Sequence, residues 1–160
     1  MPPSEATTLQ RPVLLGLFAG VTLALRIATG VHEEQHPVTI DLVSWAPLEG
    51  AEAEAKRNGL AVLYVFGAKW CEPCKELHKR VFAEPMVASN LNRRFVIVQV
   101  DADSTQPESV ALKQQYEVKA LPTLVVVPTD PRFKSGPVRL EGFTSESLVT
   151  SFLSRAPTIP

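Results

Sequence analysis

Residues 60–75 read Leu60-Ala61-Val62-Leu63-Tyr64-Val65-Phe66-Gly67-Ala68-Lys69-Trp70-Cys71-Glu72-Pro73-Cys74-Lys75. The apolar run between Gly59 and Gly67 is too short for a membrane span and unbroken by polar positions, which predicts a strand buried on both faces. Two cysteines three positions apart follow directly. The stretch 72–80 reads as a helix with Cys74, Leu77 and His78 on one side, so Cys71 falls at the helix start and Cys74 about one turn inside. Pro73 suits a first helical turn, where its missing N–H costs nothing. The partial positive charge and free N–H groups of a helix start favour a thiolate at Cys71 and make it the nucleophile. Cys74, shielded within the helix, is then the resolving thiol that attacks a mixed disulfide and leaves the pair oxidised. Glu72 and Lys75 push the nucleophile in opposite directions.

Outward from this centre the chain alternates strand-like and helix-like patterns, as α/β domains do. Residues 38–45 alternate as a short strand, and 51–57 are good helix formers closing at Asn58-Gly59 with a glycine cap. The 72–80 helix is bent or broken at Pro85, with a second helical piece to Asn92. A buried strand at 95–100, a helix at 107–116, a β-rich run at 121–127, a short strand at 138–142 and a helix at 145–154 complete the order βαβαβαββα. Parallel central pairing with an antiparallel edge is the expected packing. The fold class is α/β: three layers, a central mixed sheet flanked by helices, preceded by an N-terminal hydrophobic helix.

That helix is expected because residues 13–25 are uncharged and apolar between Arg11 and Arg26, with an apolar continuation to Val31. The run suits a signal-peptide h-region, with Ala28 and Gly30 as the small residues before a mature start at Val31. It also suits a tilted anchor over residues 13–31 in which Arg26 snorkels to the interface. Both outcomes place the domain outside the cytoplasm, with Arg11 at the amino end; a buried amphipathic helix of a cytosolic protein is the lesser reading, because the run is apolar on every side. The expected organisation is residues 1–31 as signal or anchor, 32–37 as linker, 38–156 as one domain and 157–160 as a tail.

The 160 residues carry 16 basic and 17 acidic side chains, a net charge of -1, so no long-range field recruits nucleic acid. Protein partners are expected instead. Two cysteines in one local motif exclude a disulfide framework of the small secreted kind. A structural zinc site wants four ligands, whereas Cys71, Cys74 and His78 make three at most, so no metal or other cofactor is expected. His78 reads as a helix-surface residue. A metal-holding or non-catalytic module, and a disulfide-forming oxidant, are the alternative readings.

The segment Phe66-Gly67-Ala68-Lys69-Trp70-Cys71-Glu72-Pro73-Cys74-Lys75 resembles the active-site segment of the thioredoxin superfamily, and Val118-Lys119-Ala120-Leu121-Pro122-Thr123-Leu124 resembles its cis-proline segment. The Lys75-Glu76 pair, Phe82-Ala83-Glu84-Pro85, Asp101-Ala102-Asp103 and Glu141-Gly142-Phe143 are most similar to the periplasmic C-terminal domain of DsbD-type thiol:disulfide interchange proteins. The resemblance implies a thiol:disulfide oxidoreductase, a reductase or electron relay acting on cysteines of exported proteins and reduced by a separate membrane or soluble donor. It implies that Pro122 is cis beside the cysteines and that the Leu121 backbone aligns the incoming peptide, with Trp70, Glu72 and Pro73 also positioning it. One departure is evident. The family places a buried acid six positions before the first cysteine to move protons for the resolving thiol, and this chain has Val65 there. Glu76 is the substitute relay the sequence offers.

Overall fold

The computed structural model describes residues 41–133 and 136–157. The hydrophobic segment at 1–31, the linker at 32–37, residues 38–40 of the expected first strand and the last three residues lie outside the described part. Among the described residues no helix is long and apolar enough to cross a membrane.

The elements are α1 (Ala51–Asn58), β1 (Ala61–Gly67), α2 (Glu72–Leu77), a π-helical turn (His78–Phe82), α3 (Pro85–Arg94), β2 (Phe95–Asp101), α4 (Pro107–Gln115), β3 (Thr123–Val127), β4 (Val138–Glu141) and α5 (Glu146–Arg155). Helix α1 closes on Gly59 at φ 67°, a left-handed conformation that costs glycine little, and the Gly59 and Leu60 N–H groups return to the last turn. Pro85 occupies the first turn of α3, so the break expected there is a π turn followed by a fresh helix start.

The sheet order is β2-β1-β3-β4. Every residue of β1 is buried. Its odd-numbered residues Leu63 and Val65 join Ile97, Leu124, Leu77, Phe82, Leu91 and Leu153 on the α2–α3–α5 side. The even-numbered Val62, Tyr64 and Phe66 join Val98, Val125, Ala55 and Tyr116 on the α1–α4 side. Strand alternation therefore builds two apolar layers on one sheet, the three-layer arrangement expected from the sequence.

Two expectations are corrected. Parallel pairing is confined to β1–β2, because β3 runs antiparallel to β1 as well as to β4. The last turn of α4 stays at the end of β2, where the Lys113 ammonium donates to the Ala102 carbonyl, so this helix does not carry the chain back along the sheet. The chain does not return to the start of β2, and β3 enters where β2 ends, with Thr123 opposite Phe66 and Asp101 opposite Gly67. The first strand is also absent from the described residues, where it is reduced to a single bridge from Trp45 to Ile97. Its backbone groups are satisfied elsewhere: Leu42 N–H donates to the Phe82 carbonyl, and the Asn92 amide takes the Leu42 carbonyl and the Ser44 N–H.

Candidate active site

Because β1 ends and β3 begins at the same edge of the sheet, the cysteines and the Leu121-Pro122 turn meet there. Cys71 caps α2 in an extended conformation, and its Sγ accepts the Cys74 N–H at 3.2 Å. Cys71 and Cys74 are joined by a disulfide with S–S 2.03 Å. Both are buried, at 2% and 6% exposure, yet they face different spaces. Cys71 lines an open groove of about 1120 Å³ together with Trp70, Glu72, Pro73, Lys119 and Leu121. Cys74 lines a second cavity of about 460 Å³ with Gly67, Lys69, His78 and Asp101.

Trp70 is 68% exposed, so it is a wall of the groove and not a core aromatic. Its indole N–H donates to the Asp103 carboxylate at 2.8 Å, and Ala102 N–H donates to the Gly67 carbonyl at 2.8 Å, which clamps the loop after β2 against the cysteine loop. Glu72 and Lys75 form an exposed ion pair at 2.9 Å, so their opposing charges largely offset one another beside the nucleophile. On the opposite wall the Leu121–Pro122 peptide is cis. Its turn is held by Thr123 Oγ1 donating to the Ala120 carbonyl at 2.7 Å and by Gly142 N–H donating to the Pro122 carbonyl at 2.7 Å. The Lys113 ammonium donates to the Ala102 carbonyl and ties α4 to the same rim.

Glu76 lies away from both sulfurs, with its carboxylate accepting from Arg80 Nε at 2.6 Å; it lines neither space. Val65 is 1% exposed within the α2–α3–α5 layer, in register with Gln99 and Leu124. His78 is corrected from a helix-surface residue to a largely buried one, with its side chain 19% exposed and its Nδ1 2.6 Å from Asp41 Oδ2. It joins an aromatic cluster with Trp45, ring centroids 5.6 Å apart, and Phe82, 5.3 Å apart, and these two rings also touch each other at 5.5 Å. Among the described residues no three His, Cys, Asp or Glu side chains converge as metal ligands. Asp103 and Asp41 are the residues the sequence reading did not single out as site partners. The first stands in the quoted Asp101-Ala102-Asp103 run, and the second carries no local signal.

The thioredoxin-like domain family matches residues 48–153. The thiol:disulfide interchange protein DsbD of Pectobacterium atrosepticum is 31% identical over 152 residues, 91% of this chain and 26% of the relative. The DsbD of Vibrio cholerae is 36% identical over 83 residues, 52% of this chain and 14% of the relative. The chain therefore spans about a quarter or less of the length of these curated relatives. A solution structure of a thioredoxin from Thermus thermophilus is 30% identical with a TM-score of 0.59, covering 71% of this chain and 85% of that one. The DsbD C-terminal domain of Neisseria meningitidis in its oxidised form shares the fold at 24% identity and a TM-score of 0.55, covering 68% of this chain and 90% of that one. A family match over well more than half of the length, a mixed sheet between two helical layers and a Cys-x-x-Cys pair at a helix start together establish that this chain belongs to the thioredoxin-like family.

Proposed function

We propose that this chain is a thiol:disulfide oxidoreductase that reduces, or relays electrons to, disulfides of other exported proteins. The observation that carries this reading is the placement of the two sulfurs. Cys71 Sγ sits at the start of α2, accepts a backbone N–H and borders an open groove, while its disulfide partner Cys74 sits behind it. In the reduced protein the same N–H and the helix end stabilise negative charge on Cys71. The Cys71 thiolate attacks a substrate disulfide, one substrate sulfur leaves with the electron pair, and a mixed disulfide remains. Cys74 then attacks Cys71 Sγ, releases the second substrate sulfur and restores the Cys71–Cys74 bond.

Trp70, Glu72, Pro73 and the Leu121-Pro122 turn line or border the space the substrate cysteine enters, and we assign them its positioning. The apolar run at 13–31 and the likeness to DsbD proteins support an extracytoplasmic, periplasmic placement, as a cleaved export signal or a retained inner-membrane anchor. Residues 38–156 are the folded unit in this reading, and a separate donor keeps the pair reduced in an oxidising compartment. The mass of the mature protein distinguishes cleavage before Val31 from retention.

Insulin reduction tests the reading. Cys71→Ser abolishes turnover and forms no mixed disulfide, whereas Cys74→Ser accumulates substrate trapped on Cys71. Equal activity in the wild type and both variants contradicts it. A Cys71–Cys74 reduction potential near about -270 mV fits a reductant, and one near about -120 mV marks an oxidant.

A further inference from the structure

Thiol exchange at this site, taken as the reading above, leaves one requirement unmet. Cys74 is 6% exposed and must lose a proton before it attacks Cys71. The position where the family resemblance places an acid is Val65, which is packed among apolar side chains. Glu76 is engaged by Arg80. On the Cys74 side, however, the structure holds a histidine–carboxylate pair that nothing else in the chain uses. His78 stands one turn beyond Cys74, with its N–H donating to the Cys74 carbonyl, and both side chains line the same cavity.

The pair is built and held. Asp41 Oδ2 takes the Trp45 indole N–H at 3.1 Å and lies 2.6 Å from His78 Nδ1, which leaves Nε2 as the free ring nitrogen. The imidazole packs against the Trp45 and Phe82 rings, which also meet each other edge to face at 5.5 Å, so the three form one aromatic cluster. The N-terminal tether, residues 41–45, which carries Asp41 and Trp45, is pinned by Asn92 and by the Phe82 carbonyl. A π turn begins at His78, the kind of helix irregularity found often at working sites. Asp41 Oδ1 is buried without a hydrogen-bond partner among the described residues. A buried carboxylate is costly unless it is held, and here the contacts to its other oxygen from Trp45 and His78 hold it.

We propose that His78, oriented by Asp41, takes the proton from the Cys74 thiol during resolution. The Cys74 S–H proton passes to His78 Nε2, directly or through one water in the shared cavity. The Cys74 thiolate attacks Cys71 Sγ, the bond from Cys71 to the substrate sulfur breaks, and its electron pair leaves on that sulfur. The substrate thiolate then takes the proton from the imidazolium or from solvent. Two electrons have moved from the dithiol to the substrate, and His78 is neutral again. Asp41 is a positioning residue in this step. The charged groups facing the imidazole are Asp41 from the tether, Lys69 from the cysteine loop, Lys75 from α2 and Asp101 from the end of β2.

Stopped-flow reaction of the reduced full chain with 5,5′-dithiobis(2-nitrobenzoate) tests this, because the first thionitrobenzoate released reports Cys71 attack and the second reports Cys74 resolution. His78→Gln leaves the first phase unchanged and slows the second about tenfold to a hundredfold. Its remaining rate is expected to follow thiol ionisation alone, having lost a second ionisation that the wild-type profile is expected to carry. Asp41→Asn keeps a side-chain oxygen for the Trp45 and His78 contacts and, with the carboxylate charge beside the imidazole removed, slows the second phase and alters its pH profile while the first phase stands. A second phase with unaltered rate and pH profile in both His78→Gln and Asp41→Asn overturns the proposal while leaving disulfide exchange intact. If His78→Gln does not fold, the rate and pH profile of the second phase in Asp41→Asn decide alone. Absence of both phases in the wild type refutes exchange itself, a separate failure.

Discussion

Trp70 and Asp103 are joined across the mouth of the groove by an indole N–H to carboxylate hydrogen bond of 2.8 Å, although the indole is 68% exposed. An exposed ring on a loop ordinarily samples several rotamers, so this bond converts Trp70 into a fixed wall beside Cys71. The loop that carries Asp103 is itself secured, by Asp103 N–H donating to Asp101 Oδ1 at 2.9 Å.

Asp103→Ala should therefore release the ring at little cost in stability, about 1 kcal/mol for one exposed hydrogen bond. The expected result is a severalfold rise in KM for a protein disulfide, a smaller change in kcat and lower tryptophan fluorescence anisotropy. Unchanged KM and anisotropy would show that the bond does not order the groove.

Restoring an acid at the position of Val65 should harm this chain. Val65 is in register with Leu124 and shares its apolar layer with Leu77, so an aspartate there meets no polar partner within that layer. Val65→Asp is expected to lower stability by about 3 kcal/mol or more at neutral pH, read from the urea midpoint. The loss should shrink in acid, where the carboxyl is neutral. An unchanged midpoint would mean that the layer is more polar than its side chains indicate.

Tyr64 sets an alkaline limit on the fold. Burial first, and then the Glu52 carboxylate that accepts its hydroxyl at 3.1 Å, hold the Tyr64 phenol well above its ordinary value; burial and Glu52 raise Tyr116 in the same direction. A raised folded-state value means that the stabilisation is complete below the unfolded value of about 10 and is lost as pH rises past it, because the unfolded chain ionises first. Urea midpoints measured from pH 9 to 11 should fall in the wild type and fall less steeply in Tyr64→Phe. Parallel slopes in the two proteins would contradict the assignment.

The cysteine centre was legible because its determinants are local. An apolar run between two glycines, a proline in a first helical turn and two thiols three apart specify strand, helix start and chemistry without any tertiary information. What escaped the sequence was settled at long range. The alternation at 38–45 promised a strand, but Asn92, some fifty positions away, captures the backbone groups of Leu42 and Ser44. His78 shares a helical face with Cys74, yet its burial depends on Asp41, thirty-seven positions earlier, and on Trp45. The direction of β3 follows from where α4 ends, beside Ala102 at the close of β2, a contact that no single segment displays. Glu76 was the nearest acid along the chain, but its neighbour one turn on, Arg80, holds its carboxylate.

The most direct measurement is the rate of alkylation of each thiol in the reduced protein as a function of pH, read by mass spectrometry of the peptides carrying Cys71 and Cys74. Stabilisation by the Cys74 N–H and the start of α2 predicts that Cys71 reacts with a midpoint below the free-cysteine value of about 8.5, ahead of Cys74 at every neutral pH. A Cys71 midpoint at or above that value, or a Cys74 that reacts first, would contradict the account.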